Sequence, residues 1–392
     1  MRLVKRSLSG KLHAYLKLFP VVAIIGPRQA GKTTFARMEL PDWGYFDLEK
    51  PSDFGRISSD REFFLSQYGE KCIIDEAQTL PELFPALRSH IDRARNKKGR
   101  MVLLGSVNPL LVKSISESLS GRIGFIELSP FHFKEAKSLY KIDLEEFWLK
   151  GGYPEPLKWN LQEHSVWIEQ YVKTFVERDV FSILKTTLTP QKQVQLITML
   201  AHSHGRLWNA SHIASAFGIS YHTVNHYIEL MENYFLVRRL IPYHKNIGKR
   251  LVKSPKFYFR DTGLLHFLLN ISGTEKLRTS PYRGFSFEGF IIEQLIRKYT
   301  LEAQNPPSFY FYRTAQGDEI DLLVQDDRGL AAYEIKTAVS IEQSDIRGFQ
   351  KAMEQLKLEK GIIVCFGKEN FSLSRKIEVK SAETLLKAAA FD

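Results

Sequence analysis

Short apolar segments alternate with amphipathic segments from the start of the chain to about residue 130. Each apolar segment is short enough to be a strand, and the segments between them have the period of helices. The predicted strands are Val21–Ile25, Gly44–Leu48, Lys71–Asp75, Met101–Gly105 and Phe125–Leu128. Alternation of this kind predicts a parallel sheet covered by helices on both faces.

The pattern becomes mainly helical from residue 144 to residue 269. Within it, Asn209–Phe235 predicts two helices joined at Gly218, which is the arrangement of a helix–turn–helix. We expect the second helix to expose Tyr221, His222, Asn225, His226 and Glu229. The stretch after it, Tyr243–Phe259, is basic and hairpin-like, so the two together predict a winged helix–turn–helix module.

Strands and helices alternate again in the last part of the chain. Residues 270–284 are rich in Gly, Ser, Thr and Pro and are typical of a linker. A helix is predicted at Phe287–Tyr299. The predicted strands are Phe309–Thr314, Glu319–Val324, Ala331–Lys336 and Gly361–Phe366. These elements predict a small α/β domain.

The first predicted strand runs directly into Gly26-Pro-Arg-Gln-Ala-Gly31-Lys32-Thr33, which fits G-x-x-x-x-G-K-[ST] and opens a predicted helix, Thr33–Glu39. Such a loop wraps backbone N–H groups around phosphates, its lysine reaches the outer phosphates, and its hydroxyl coordinates Mg²⁺. We therefore predict ATP binding with Mg²⁺, with GTP as the alternative nucleotide. The predicted nucleotide-binding residues are Gly26, Pro27, Arg28, Gln29, Ala30, Gly31, Lys32, Thr33, Thr34 and Asn108.

A second motif, Cys72-Ile-Ile-Asp75-Glu76, ends another predicted strand in two acids. We predict that Asp75 holds Mg²⁺ together with Thr33, and that Glu76 polarises the attacking water. Asn108 follows a further strand and is a candidate sensor of the γ-phosphate. Arg122 is either an arginine finger, acting in cis or across a subunit boundary, or a structural cation near a turn.

Several segments occur together in the order typical of one family: FPVVAIIGPRQAGKTTFAR, CIIDEAQ, LLGSVN, SLSGRIGFIELSPFHFKEA, GGYPEPL, YVKTFVERDV and KSPKFYFRDTGLLHFLL. In these segments the chain resembles prokaryotic AAA-type ATPases that carry a C-terminal domain of unknown function, the DUF4143 type. The resemblance extends over nearly the whole chain. It implies an AAA-type ATPase core that is often oligomeric, and it leaves the substrate undefined.

Four charged residues in the last part of the chain have a spacing that resembles the PD-(D/E)xK nuclease fold. They are Glu288, Asp321, Glu334 and Lys336, and the last two share one face of a strand because side chains alternate there. The resemblance implies that Glu288, Asp321 and Glu334 hold Mg²⁺. It also implies catalytic roles for Glu334 and Lys336 at a scissile phosphate. The alternative is an inactive nuclease-like scaffold.

Basic residues cluster after the predicted helix–turn–helix, with no acid between residues 245 and 260. The residues predicted to contact nucleic acid are Lys245, Lys249, Arg250, Lys253 and Lys256. Such a cluster favours a wing that grips a phosphate backbone. The alternative is a winged-helix module that serves as a lid or as a subunit interface.

Pattern, motifs and resemblance together predict an α/β protein of three modules. Residues 1–143 form a P-loop ATPase domain with a parallel sheet and helices on both faces. Residues 144–270 form a helical and winged-helix module, and residues 271–392 form a small restriction-endonuclease-like domain.

Composition adds coarse limits. The net charge of +11, from 55 basic and 44 acidic residues, favours an anionic partner such as DNA. The only cysteines, Cys72 and Cys365, lie in apolar strands and fit a reducing compartment. The N-terminal segment lacks a signal pattern, and no apolar run approaches the roughly 20 residues that span a bilayer. We therefore expect a cytoplasmic protein with no membrane segment.

Two hypotheses for function follow. The first is an ATPase that hydrolyses ATP with Mg²⁺ and couples hydrolysis to nucleic-acid binding or processing by its C-terminal half. The second is an ATP-gated switch or scaffold that binds a protein partner and carries an inert nuclease-like domain. A homo-oligomer is compatible with both.

Overall fold

A computed structural model describes residues 5–105, 118–174, 188–244, 251–303, 305–342 and 346–388. The chain forms two compact units. The first comprises residues 1–131 with 233–235, and the second comprises residues 132–232 with 236–392. The predicted module boundaries after residues 143 and 270 stay a prediction.

The first unit is built on a parallel sheet. Its strands are β1 Val21–Ile25, β2 Gly44–Asp47, β3 Cys72–Asp75, β4 Met101–Gly105 and β5 Ile123–Glu127, and their order is β2-β3-β4-β1-β5. Its helices are α1 Ser9–Leu18, α2 Lys32–Glu39, α3 Pro51–Ser59, α4 Arg61–Tyr68 and α5 Leu83–Asp92. The predicted parallel sheet is therefore confirmed: β1 and β4 match residue for residue, and the other strands differ only at their ends.

The central strand β1 shows why this sequence forms a parallel sheet. Val21, Val22, Ala23 and Ile24 are all buried, because β1 pairs with β4 on one side and β5 on the other. A continuous apolar run of this kind is typical of strands covered on both faces. Gly26 follows at once, where a Cβ atom would lie 2.1 Å from the carbonyl oxygen of Leu128. Only glycine allows this approach.

The second unit begins with helices and the winged-helix elements. The helices are α6 Phe133–Tyr140, α7 Leu144–Lys150, α8 Leu161–Tyr171, α9 Pro190–His202, α10 Ala210–Phe217 and α11 Tyr221–Asn233. The predicted turn between α10 and α11 is present: Gly218 has a φ of 62°, and Ser220 Oγ accepts a hydrogen bond from Thr223 N at 3.0 Å. The strands β6 Arg206–Leu207, β7 Val237–Leu240 and β8 Lys256–Phe259 form an antiparallel sheet in the order β6-β8-β7.

The hairpin predicted at Tyr243–Phe259 is wrong in its first strand. The partner of β8 in this hairpin is β7, with Val237 opposite Phe259. The segment around Tyr243 makes different backbone contacts, since Tyr243 N donates to Phe311 O at 2.7 Å and Phe311 N donates to Ile241 O at 3.1 Å. Non-local pairing therefore determines where this strand begins, and local composition does not report it.

The remainder of the second unit contains a six-stranded mixed sheet. Its strands are β9 Ser308–Arg313, β10 Glu319–Asp326, β11 Gly329–Lys336, β12 Gly361–Cys365, β13 Phe371–Ser372 and β14 Ile377–Ser381, in the order β13-β14-β12-β11-β10-β9. The helices are α12 Thr262–Leu268, α13 Thr274–Thr279, α14 Arg283–Glu302, α15 Arg347–Leu356 and α16 Ala382–Lys387. The predicted small α/β domain is thus present as a sheet with helices.

The predicted linker at residues 270–284 is wrong. This segment contains α13 and the first turn of α14, and Leu277 within it is fully buried. Its Gly, Ser and Pro residues lie mainly at helix ends, where they are common for capping reasons. Among the described residues, no helix is both long enough and apolar enough to cross a membrane.

Candidate functional site

Lys32 lies inside the phosphate-binding loop. Its Nζ atom donates to Gly26 O and to Pro27 O, both at 3.0 Å. Burial lowers the pKa of Lys32 to about 8. Gly31, just before α2, has a φ of 88°, which a residue with a side chain rarely adopts. Loop, lysine and helix N-terminus therefore stand in the arrangement that binds phosphate groups.

Thr33 and Asp75 meet, as the two motifs predict. Thr33 Oγ1 donates to Asp75 Oδ2 at 2.6 Å, and Asp75 is buried at the end of β3. The same oxygen accepts a hydrogen bond from the Tyr45 hydroxyl on β2 at 2.9 Å. A hydroxyl and a carboxylate are hard oxygen donors of the kind that Mg²⁺ prefers, so these side chains fit that ion.

Glu76 has a constrained backbone next to this pair. Its φ is 50° and its ψ is 43°, which is uncommon for a residue other than glycine. Its N–H donates to Asp75 Oδ1 at 2.9 Å, and its carboxylate accepts from the Gln78 amide. Burial raises the pKa of Glu76, with a smaller opposing effect of Lys32. A carboxylate with a raised pKa is better suited to take a proton from water.

Arg6, which no sequence motif singles out, supports the same loop. This buried guanidinium donates to Ala30 O at 3.2 Å and to Ser129 O at 2.7 Å. It also lies 4.8 Å from the centre of the Phe131 ring. Arg6 therefore ties the phosphate-binding loop to the segment after β5. Arg28, Gln29 and Thr34 are exposed around this loop.

Arg122 is wrong as an arginine finger acting in cis. Its carbonyl oxygen accepts from Val21 N at 3.3 Å, so it lies beside the amino end of β1, whereas the phosphate-binding loop follows the carboxyl end. Its guanidinium is bound to both carboxylate oxygens of Asp92, at 2.7 and 3.0 Å. The geometry favours a structural cation. Asn108, the candidate sensor, lies outside the described residues.

In the second unit, Lys256 contacts two of the predicted nuclease-like residues, Glu288 and Asp321, and a third acid, Glu319. Its Nζ atom lies 2.8 Å from Glu288 Oε1, 2.6 Å from Glu319 Oε1 and 3.2 Å from Asp321 Oδ1. We call these three acids, together with Glu334, the carboxylate cluster. Burial alone would lower the pKa of Lys256, but the surrounding carboxylates, Glu288 first, raise it well above the usual range. Lys256 is therefore an interior cation.

Asp321 and Glu334 of the carboxylate cluster also have partners other than Lys256. Asp321 Oδ2 accepts from Ile335 N on β11 at 2.9 Å. Glu334 Oε1 pairs with Lys336 at 2.7 Å, as strand alternation predicts, while its buried Oε2 has no hydrogen-bond partner among the described residues. Burial, and then Asp321, raise the pKa of Glu334. Burial also raises the pKa of Glu288, to about 7.

The predicted metal site is not arranged to hold a metal. Within the described ranges, no three His, Cys, Asp or Glu side chains are positioned around a common metal ion. Glu288 and Asp321 do come together, but both direct an oxygen to the Lys256 ammonium. The residues present therefore do not fit a divalent cation while Lys256 lies among them.

The predicted nucleic-acid contacts divide into three groups. Lys245, Lys249 and Arg250 lie outside the described residues. Lys253 is exposed, as a phosphate contact requires. Lys256 is wrong as a surface contact because only 3% of its side chain is exposed. On α11, Tyr221, His222, His226 and Glu229 are exposed as expected, whereas Asn225 is half-buried and accepts from Trp208 Nε1 at 3.1 Å.

Known families match three consecutive parts of the chain. An AAA domain matches residues 18–137, a domain of unknown function (DUF8612) matches residues 141–275, and another domain of unknown function (DUF4143) matches residues 283–385. Uncharacterized proteins of Mycobacterium tuberculosis and Mycobacterium bovis are each 37% identical over 396 residues, covering 100% of this chain and 87% of theirs. The chain belongs to this family of AAA–DUF4143 proteins.

Solved structures similar to this AAA–DUF4143 protein include two archaeal ATPases. A Walker-type ATPase of Pyrococcus abyssi is 17% identical with a TM-score of 0.44, covering 69% of this chain and 99% of that chain. A signal-transduction ATPase with numerous domains from Pyrococcus horikoshii is 15% identical with a TM-score of 0.32, covering 77% of this chain and 50% of that chain.

Proposed function

We propose that this AAA–DUF4143 protein hydrolyses ATP with Mg²⁺ at the phosphate-binding loop of its first unit. The observation that carries the proposal is the hydrogen bond of 2.6 Å between Thr33 Oγ1 and Asp75 Oδ2. It joins the loop after β1 to the acidic end of β3, although β4 lies between these strands. A phosphate-binding loop alone implies binding, and an adjacent acidic pair supports hydrolysis.

Each residue has a role in this proposal. Lys32 exchanges its carbonyl partners for the outer phosphate oxygens, and Thr33 and Asp75 would hold Mg²⁺, which would neutralise phosphate charge when bound. Glu76 orients water and accepts its proton as the water oxygen bonds to the γ-phosphorus. The bond from that phosphorus to the bridging oxygen breaks, and ADP leaves with the electron pair. The Glu76 proton then passes to solvent.

Two variants test the proposal. Lys32→Ala removes the ammonium, so we expect ATP affinity to fall by about tenfold to a hundredfold, the value of a charged hydrogen bond. Glu76→Gln keeps the shape but cannot accept the proton, so we expect turnover to fall by about 10²-fold or more with ATP affinity nearly unchanged. Phosphate release and fluorescent-nucleotide binding measure the two effects separately.

The matched control is Lys17→Ala, which removes an exposed lysine of α1. It should leave both quantities at the wild-type value. Hydrolysis by Glu76→Gln at the wild-type rate would show that another group accepts the proton. Wild-type protein that binds ATP without turnover would leave only the ATP-gated switch.

We propose as a second function that the winged helix–turn–helix contacts nucleic acid. The supporting observation is that the helices α10 and α11 and the wing strands, β7 and β8, are all present. Tyr221, His222 and His226 are exposed on α11, and Lys253 is exposed just before β8. The ATPase rate with and without DNA separates this function from a switch that binds a protein partner. Stimulation by DNA supports nucleic-acid coupling, and turnover that DNA does not change supports the switch.

A further inference from the structure

Three acids of the carboxylate cluster surround the ammonium group of Lys256. An ammonium group has three N–H donors. Nζ donates to Glu288 Oε1 at 2.8 Å and to Asp321 Oδ1 at 3.2 Å, and it forms an ion pair with Glu319 Oε1 at 2.6 Å, so there are as many carboxylate partners as N–H donors. The Phe311 ring centre lies 5.7 Å from the same Nζ atom. Lys256 is thus held from several sides in the interior of the second unit.

Lys256 and its three acids come from three different elements of the second unit. Glu288 comes from α14, Glu319 and Asp321 come from β10, and Lys256 comes from the wing strand β8. Carboxylate oxygens are hard donors of the kind that Mg²⁺ or Mn²⁺ prefers, but with Lys256 in place these three acids are not positioned around a common metal ion. Here the oxygens converge on a nitrogen. The wing strand therefore supplies the positive charge that these acids require.

A divalent cation and the Lys256 ammonium cannot share this place. Mg²⁺ binds oxygens at about 2.0–2.1 Å, so an ion held by Glu288 and Asp321 would lie almost on top of Nζ. Two positive charges at such a distance repel strongly in a buried site. Screening by water is weak there, because Lys256 is 3% exposed and Asp321 is 9% exposed, although Glu319 at the edge of the cluster is 22% exposed.

We propose that Lys256 is the resident cation of the carboxylate cluster and takes the place of a divalent metal, so that the second unit does not load Mg²⁺ or Mn²⁺ there. Removal of the lysine side chain exposes a latent metal site formed by Glu288, Glu319 and Asp321. Glu334, whose buried Oε2 atom has no hydrogen-bond partner among the described residues, is available as a further ligand. The inference does not depend on ATP hydrolysis in the first unit.

Mn²⁺ binding to the full-length protein tests the proposal directly. The measurement follows free Mn²⁺ by electron paramagnetic resonance, without nucleotide and in an Asp75→Asn background that removes the predicted ligand of the first unit. With Lys256 present, we expect no Mn²⁺ bound with a Kd below about 1 mM, the weak end of protein cation sites. With Lys256→Ala, we expect one bound Mn²⁺ per chain.

Matched variants separate the effect of the Lys256 charge from the effect of the volume that its side chain fills. Lys256→Met removes the charge but fills nearly the same volume, so it should not gain the ion. Lys256→Ala combined with Asp321→Asn should lose the gained ion. Lys253→Ala, on the exposed residue before β8, should behave like wild type. At a Mn²⁺ concentration about a hundredfold above Kd, binding should raise the Tm of Lys256→Ala on the order of 5 °C and leave wild type unchanged.

Mn²⁺ binding to wild type and to Lys256→Ala decides between the proposal and its alternatives. Wild-type protein that binds Mn²⁺ at a site lost in Glu288→Gln overturns the proposal, and this arm needs no Lys256 variant. A Lys256→Ala variant that folds but gains no ion overturns it, as does one that stays unfolded in Mn²⁺. A Lys256→Ala variant that folds only when Mn²⁺ is present supports it, because the metal then supplies the charge that the lysine provided.

Discussion

One oxygen of Asp75 serves two hydroxyl groups. Asp75 Oδ2 accepts from Thr33 at 2.6 Å and from Tyr45 at 2.9 Å. Thr33 belongs to the phosphate-binding loop, whereas Tyr45 lies on β2, where its ring also packs 5.1 Å from the Arg37 guanidinium. Burial, and then the neighbouring Asp75, raise the pKa of Tyr45, so its hydroxyl keeps its proton and donates. Tyr45 is therefore a positioning residue for the proposed Mg²⁺ ligand.

We predict that Tyr45→Phe weakens Mg²⁺ binding, so that hydrolysis requires a higher Mg²⁺ concentration, without removing ATP binding. Loss of a group that orients a metal ligand typically costs ten- to a hundredfold in metal affinity. A Mg²⁺ titration of the ATPase rate should therefore shift its midpoint upward by about tenfold. Tyr68→Phe, on an exposed tyrosine of α4, is the matched control. A midpoint that stays at the wild-type value in Tyr45→Phe would contradict the positioning role.

The sequence could predict some of these residues and not others. Thr33 and Asp75 were predictable because each belongs to a local motif, and strand ends of a parallel sheet meet at one edge. Arg6 contacts a loop 24 residues away, and Lys256 contacts an acid 65 residues away. No local pattern signals such contacts. A basic run looks the same in sequence whether a lysine faces solvent or the interior.

At the scale of elements, periodicity predicted the strands well. The buried strands of the first sheet have continuous apolar runs, and a period of two or 3.6 residues is a local property. The errors fall where tertiary pairing determines the element, as with β7 and the segment around Tyr243. Asp261 is another residue whose role depends on tertiary contact. It accepts from Leu264 N at 3.0 Å within the helix that it caps, and from Gly152 N at 2.8 Å, which is 109 residues away in the chain.

Two buried histidines hold elements of the second unit together. His204 Nδ1 accepts from Phe259 N of β8 at 3.0 Å, and its Nε2 donates to Phe285 O of α14 at 3.1 Å. His266 on α12 contacts Leu149 O at 2.9 Å and Ser286 Oγ at 2.7 Å. Burial lowers the pKa of His204 to about 3 and of His266 to about 4.

We predict acid destabilisation from these histidines. In the unfolded chain their pKa is about 6.5, so the unfolded state binds more protons and stability falls as pH drops from about 6.5 toward 4. Each histidine should lower the free energy of unfolding by about 1.4 kcal/mol per pH unit in that window. Urea denaturation followed by tryptophan fluorescence at several pH values measures the slope.

A single substitution checks the source of this slope. His204→Gln should be less stable at pH 7 but should show a pH slope shallower by about 1.4 kcal/mol per unit. His222→Gln, on the exposed face of α11, should keep the wild-type slope. An unchanged slope in His204→Gln would mean that other groups cause the acid sensitivity.

At the scale of the whole molecule, the distribution of charge matters more than its sum. The net charge of +11 favours an anionic partner, but Lys256 is neutralised inside the second unit. Lys32 and Arg122 are likewise bound within the first unit. Without Lys256, four of the five predicted nucleic-acid contacts stay as predictions, namely Lys245, Lys249, Arg250 and Lys253.

We predict the salt dependence of DNA binding from this count. Each phosphate contact contributes about −0.9 to the slope of log K against log salt, so four contacts give about −3.6. Lys253→Ala should reduce the steepness by about 0.9, and Lys368→Ala, on an exposed lysine far along the chain, should not. Fluorescence anisotropy with duplex DNA at several salt concentrations measures this. Affinity that does not depend on salt would exclude the wing as a backbone contact.

The register between β9 and β10 shifts between Ile320 and Leu323, and this irregularity encloses Asp321. An extra residue in one strand changes which face the following side chains occupy. In genetic terms, loss of a single codon here would restore regular alternation while leaving the strand apolar and able to pair. The carboxylate that now faces Lys256 would then turn to the opposite face. A deletion of one codon in this segment would therefore leave Lys256 without one of its three carboxylate partners.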